Sequence, residues 1–228
     1  MKRKQINVRL GFDFKDRSGN WVKSFRFSDK EEYVAYIYHT KLSLLWASVV
    51  ARCKEGGSYQ RNRNTYIGVK NHFTYQELGD WVQSQEGYNN FNKSGRTWNL
   101  DKDILGDGKI YSKEVCCFVP DFVNVLFTLA GARRGEFPLG VSKQQKCKGF
   151  IARCHNNIGN GESINLGSYN TPEEAHAAYQ GFKAATIRES AERYIALKGS
   201  REDVYYALLQ KADRLLRDKN EGVETKTI

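Results

Sequence analysis

Four segments of this chain open with a Ser or Thr three residues ahead of an acid, and this punctuation limits the fold more than any other feature. The hydroxyl can accept a backbone N–H of the first helical turn while the acid reaches back, so each such pair marks a helix start. Ser28 with Glu31 opens a segment running toward Cys53, with Val34, Ile37, Leu45 and Val49 among its apolar positions. Thr74 with Glu77 opens a short helix carrying Leu78, Trp81 and Val82. Thr171 with Glu174, followed by Pro172 at the first helical position, opens a long one whose apolar stripe is Ala175, Ala178, Tyr179 and Phe182. Ser200 with Asp203 opens the last, with Val204, Leu208, Ala212 and Leu215 on one side. Strand-like stretches lie between: Asn7 to Phe14 and Trp21 to Phe27 around a turn at 15–20, then Val141, Phe150 to Cys154, and Ile164 to Tyr169. Helices interleaved with short strands and Gly/Asn-rich turns predict an α+β chain.

At 228 residues with 40% hydrophobic content there is material for a packed core. The reading divides the chain into an N-terminal strand–helix region at 1–60 whose role stays open, a core at 61–131, a compact module at 135–197 and a C-terminal helix and tail at 198–228, polar and frayed from Lys219. No stretch reaches transmembrane length, and no apolar run follows the basic Met1-Lys2-Arg3-Lys4, which argues against a membrane or secreted protein. Five cysteines, an odd number that includes the adjacent Cys116 and Cys117, suit a reducing cytoplasmic setting better than a disulfide framework. A zinc site at Cys147, Cys154 and His155 lacks a second well-spaced pair. The net charge of +10 is concentrated: Arg133, Arg134, Lys143, Lys146, Lys148 and Arg153 face one acid, Glu136, in the same stretch. Such a surface attracts phosphates through counterion release, although solubility alone also makes proteins basic.

Chemistry is most legible from Trp98 to Phe127, which reads strand, turn, strand, helix. Alternation puts Trp98, Leu100 and Ile104 on one face and Asn99, Asp101 and Asp103 on the other. Gly106-Asp107-Gly108-Lys109 is a turn, Glu114 to Val119 a second strand, and Pro120 starts a helix with Asn124 in its early turns. Two same-face carboxylates and a helix-borne amide form a hard oxygen set suited to Mg2+ or Mn2+. The bland alternative is a pair of solvated strand acids and a polar helix residue.

The run Leu100-Asp101-Lys102-Asp103-Ile104-Leu105, the stretch from Tyr111-Ser112-Lys113-Glu114 to Phe118-Val119, and Asn124 after it resemble the HNH endonuclease family in the forms found in phages and mobile elements. The resemblance implies a ββα-metal fold, one divalent metal held by Asp101, Asp103 and Asn124, phosphodiester hydrolysis, and the host cell's cytoplasm as the place of action. The family's first strand usually supplies a His as general base, whereas no His lies between His72 and His155 here. Asp101 or Asp103 would take that role, and spacing does not say which. Tyr66-Ile67-Gly68 matches half of another nuclease motif with no partner half and reads as a turn. His72, beside Phe73 and Tyr75, reads as structural.

Gly140-Val141, Gly149 to Arg153, and Leu166-Gly167-Ser168-Tyr169-Asn170-Thr171-Pro172-Glu173-Glu174-Ala175 resemble the Apetala-type DNA-binding domain of plant ethylene-response regulators, also found in phage HNH proteins. That family lays a three-stranded antiparallel sheet, backed by a helix, into the major groove. The likeness implies base or phosphate contact by Arg153 and phosphate contact by Lys143, Lys146 and Lys148, with Arg133 and Arg134 adding charge. Together the readings describe a homing-type nuclease placed on double-stranded DNA by its C-terminal module. Cutting both strands from one site needs a homodimer or two successive events. The competing readings are a non-catalytic DNA-binding regulator on a decayed nuclease scaffold and an RNA-binding protein whose many aromatics stack on bases.

Overall fold

The computed structural model describes residues 12–15, 21–25, 30–62, 64–91, 97–127, 136–143, 149–155 and 162–228, and the backbone alone in the first forty. The chain divides into two compact units after Ala51. In the first, strands β1 (Phe12–Lys15) and β2 (Trp21–Phe25) pair antiparallel with an irregularity between Phe12 and Phe14, and helix α1 (Lys30–Cys53) follows. Helix α1 runs to Cys53 as the periodicity predicts. Ser28, its expected cap, lies outside the described residues.

The second unit, from Arg52, holds both stretches in which chemistry and DNA contact were expected. It begins with the short helix α2 (Ser58–Asn62) and strand β3 (Lys70–Asn71). Tyr66 ends a 3-10 turn, and Gly68 takes φ +74, so Tyr66-Ile67-Gly68 is a turn as predicted. Helix α3 (Tyr75–Gln83) carries the complete capping box: Thr74 Oγ1 accepts the Glu77 N–H at 3.2 Å and Glu77 accepts the Thr74 N–H at 2.7 Å. Leu78 and Val82 are buried, and Trp81 stacks on Phe118.

Three short strands follow: β4 (Asn99–Asp101), β5 (Ile110–Tyr111) and β6 (Cys117–Val119). β4 and β6 pair antiparallel, Asp101 opposite Cys117, while β5 leaves them to pair parallel with β3. The strand expected from Glu114 is therefore confined to its last three residues. Pro120 is the cap of helix α4 (Asp121–Asn124) rather than its first residue, and α4 packs on β4.

Strands β7 (Val141–Lys143), β8 (Phe150–His155) and β9 (Ser163–Tyr169) form an antiparallel sheet in the order β7-β8-β9. Helix α5 (Pro172–Ile195) covers one side of it. Its capping box is formed, with Pro172 at the first turn, an arrangement worth about 1 kcal/mol. Ala175 and Tyr179 are buried as predicted, whereas Ala178 and Phe182 are half-buried. His176, Gln180, Lys183, Ile187, Ala191 and Tyr194 are buried as well, because helix α6 (Glu202–Asn220), the C-terminal tail and Trp98 pack on further parts of α5. All four apolar residues expected on α6, Val204, Leu208, Ala212 and Leu215, are buried.

Two expectations fail at the C-terminus. Ser200 does not cap α6: its hydroxyl donates to the Ile195 carbonyl, and the cap position is Arg201, with no side-chain cap bond. Arg201 takes Asp203 for itself and also donates to Gln85 Oε1 and the Cys116 carbonyl. Nor is the tail after Lys219 frayed. Thr225, 1% exposed, donates its N–H to His176 Nε2, so His176 Nδ1 is left to donate to the Leu139 carbonyl at 2.9 Å. Gln180 donates to the Val223 carbonyl and to Thr225 Oγ1, and Ile228 packs on the Leu139–Cys154–Tyr179 cluster.

Gly140 has φ +78, and a Cβ there would fall 2.1 Å from Tyr179 Cδ2, so the turn into β7 closes only because the position is bare. Gly140→Ala is expected to lower stability by about 2–4 kcal/mol from overpacking and left-handed strain. A urea-denaturation midpoint equal to wild type would remove this packing argument. Among the described residues no helix is long and apolar enough to cross a membrane.

Candidate functional site

β4 ends at Asp101 because Asp101 turns the chain. Its carboxylate, 5% exposed, accepts the N–H groups of Asp103 and Ile104 through Oδ1, both at 2.8 Å. Residues 102–106 leave the strand in a series of bends. The predicted single face of Asn99, Asp101 and Asp103 therefore breaks after Asp101. Asn99 and Asp101 remain two apart on one strand, and Asn99 Nδ2 donates to Asp121 Oδ1 at 2.6 Å, tying β4 to α4. Burial raises the Asp101 pKa, and the neighbouring Asp103 charge adds to this; the two N–H bonds and Lys102 oppose the shift.

Asp103 is exposed and accepts from Lys102 Nζ at 2.8 Å. Lys102 is 3% exposed, with its ammonium 5.6 Å from the Tyr66 ring centre and 5.8 Å from that of Tyr111. Arg52 lies against the same tyrosines, donating to Tyr111 Oη at 3.2 Å. The Asp103 carboxylate rests over the bare Cα of Gly108: a Cβ there would lie 2.2 Å from Asp103 Oδ1. Lys102, Arg52, Tyr66 and Gly108 are thus part of this site. Arg52 and Tyr66 were missed because they come from segments far apart in the chain, whereas Lys102 and Gly108 are sequence neighbours of the acids whose contacts with Asp103 appear only when the chain turns after Asp101.

Asn124 is the last residue of α4, half-buried, its own N–H bonded to the Pro120 carbonyl. Its helix packs on the strand that carries Asp101. His72 is exposed rather than part of the core, at the end of β3 with its N–H on the Tyr111 carbonyl. Cys116 and Cys117 beside Asp101 are buried free thiols; burial pushes Cys116 up to about 12 and Cys117 well above the ordinary thiol value, so neither supplies a thiolate nucleophile.

In the C-terminal sheet, Ala152 and Cys154 of β8 are buried and Arg153 and His155 exposed. The face opposite α5 therefore carries Arg153 and His155. Register adds Ser142 opposite Ile151, and Ser168, Asn165 and Ser163 opposite Ile151, Arg153 and His155. Leu166 is the extra residue of a bulge between these pairs, and Gly167 takes φ +124 beside it. Lys143 pairs with Phe150, two residues from Ala152, and so belongs to the helix-side face, exposed at the end of β7. Strand alternation could have found Ser163 and Asn165, whereas Ser168 is out of phase with them and joins this face only through the bulge. Arg133, Arg134, Lys146 and Lys148 lie outside the described residues, as does Cys147. Cys154 and His155 face opposite sides of β8, which excludes them as a joint zinc pair.

Two carboxylates and an amide are oxygen donors of the type a hard divalent metal takes, although Asp103 has left the strand face that carries Asp101. Among the described residues no hydrogen-bond donor engages Oδ2 of Asp101 or of Asp103, and Asn124 adds an amide oxygen. The set contains two carboxylates and an amide; no group of three His, Cys, Asp or Glu assembles among the described residues. Comparison of the chain with family models, with curated proteins and with solved structures returned no match. The fold itself is that of an α+β chain with a three-stranded antiparallel sheet backed by a helix.

Proposed function

We propose that this chain binds double-stranded DNA through the open face of its C-terminal sheet and hydrolyses a phosphodiester bond at the Asp101–Asp103 turn, as an HNH-type endonuclease. The observation that carries the reading is the presence, in one compact unit, of a sheet face on which Arg153 is exposed and an exposed carboxylate beside a strand pair and short helix. A twisted sheet of this width fits the major groove. Arg153 is placed to read a base edge or hold a phosphate, with the serines, Asn165 and His155 around it.

The two acids divide the work by exposure. Asp103 reaches solvent and accepts the proton of the attacking water, as its oxygen forms the new bond to phosphorus and the bond to the leaving oxygen breaks. Lys102 and Gly108 fix where the Asp103 carboxylate lies. Asp101 holds the turn. Asp101, Asp103 and Asn124 would hold Mg2+ or Mn2+, which when bound stabilises the charge that develops on the phosphate.

Arg153→Ala is expected to raise Kd for duplex DNA roughly tenfold to a hundredfold, about 1–3 kcal/mol, with the fold intact because the side chain is exposed. Gel-shift titration checks this, and an unchanged Kd counts against the groove reading. One observation favours the second reading, a non-catalytic DNA-binding protein: the Lys102 ammonium already sits on Asp103, and Asp101 is engaged in holding a turn. Duplex binding without cleavage under either metal would select it.

A further inference from the structure

Beyond the sheet face and the carboxylate turn, the molecule has a groove of about 550 Å³ between the Ile104–Gly106 turn and α6. Its α6 wall runs from Asp203 through Tyr206, Gln210 and Lys211 to Arg214, roughly three helical turns or about 16 Å. Its opposite wall begins at the residue after Asp103.

The charge of this wall is set by which acids are already paired. Asp203 is held by Arg201, and Asp213, on the far side of the helix, by Arg188. Lys211 and Arg214 have no carboxylate partner among the described residues, and they stand one helical turn apart. The Lys211 ammonium lies 4.9 Å from the centre of the Phe127 ring and within electrostatic reach of Asp101 and Asp103. Arg214 is exposed, and Tyr206, 57% exposed, and Gln210 add polar groups that bond to phosphate or sugar. Positions i and i+3 on a helix lie about 5–6 Å apart at Cβ, so the two cations can each take one of two neighbouring phosphates on one strand.

We infer that the α6 groove is a second DNA contact, in which Lys211 and Arg214 hold the backbone of duplex DNA on the flank of the bond presented to Asp103. This rests on the DNA reading above and adds a place where the strand is held independently of the sheet. A cation lost here removes a phosphate contact and with it part of the salt dependence of binding.

The test is the salt dependence of duplex binding, measured with full-length protein on a DNA fragment from 50 to 200 mM salt. Two phosphate contacts contribute a slope of about 1.8 in log Kd against log salt, so Lys211→Gln with Arg214→Gln should flatten the slope by about that amount. Arg214→Gln alone, on an exposed side chain, should flatten it by about 0.9 and keeps the test valid if the double variant folds poorly. Lys70→Gln with Lys113→Gln removes the same charge from exposed positions elsewhere and should leave the slope unchanged. A wild-type slope retained in Arg214→Gln and in a folded double variant overturns the groove contact alone. Equal flattening in the control pair overturns it too, because net charge then explains the effect. Absence of duplex binding by the wild type overturns the DNA reading and the groove with it.

Discussion

Asp103→Asn is expected to slow DNA cleavage by about 10²–10⁴-fold while leaving duplex affinity unchanged. The amide is nearly isosteric, so it keeps its seat over Gly108 and an oxygen toward Lys102. It cannot accept the proton that the attacking water must lose. The variant should stay folded: Asp103 is half-exposed and its amide oxygen can still accept from the buried Lys102 ammonium, so losing the charge of the pair costs about 1–3 kcal/mol. Single-turnover cleavage and gel-shift titration on the same preparation separate the two effects. A variant that cuts at the wild-type rate would remove Asp103 from the mechanism; one that no longer binds DNA would make it a binding residue.

The second large effect falls on the fold. Asp101→Ala leaves the buried N–H of Ile104 and the part-buried N–H of Asp103 without an acceptor, and is expected to cost about 2–4 kcal/mol. Asp101→Asn keeps a carbonyl oxygen in the same place and no longer buries a charge. The pH dependence follows from the raised Asp101 pKa. A carboxyl whose folded value lies above its unfolded value favours its neutral form, so that stabilisation is complete below the ordinary carboxylate range and is lost as pH rises through the folded value. Asp101→Asn should therefore match wild type in acid and become the more stable of the two as pH rises through that raised value. Urea denaturation at several pH values measures both variants. Equal losses for Ala and Asn would mean that the carboxylate's charge, not its turn-capping oxygen, holds residues 102–106.

These two acids also show what was legible in the sequence. Helix starts were local and readable: Thr74–Glu77 and Thr171–Glu174 form the boxes their spacing implies, because nothing competes for them. Ser200–Asp203 fails because Arg201 captures Asp203 while bonding across to Cys116 and Gln85, a partnership of residues far apart in sequence. Strand alternation carried Asp101 but not Asp103, since an Asp side chain bonding forward to the backbone offers the chain an alternative to the ladder. The docked tail depends on Thr225 meeting His176 across the packing of α5 and α6, and its polar composition concealed that. In the sheet, Arg153 was readable from β8 alternation alone, whereas the side on which Lys143 falls required knowing that it pairs with Phe150.

The division between a cutting site and a DNA-holding surface is tested most directly by incubating full-length protein with supercoiled DNA in magnesium, manganese or chelator, beside Asp103→Asn. The expected result is conversion to nicked or linear DNA with either metal, none in chelator, and conversion slowed by about 10²-fold or more in the variant although it still shifts the DNA in a gel. DNA that is bound by the wild type yet stays supercoiled under both metals would contradict the nuclease assignment and leave a DNA-binding protein.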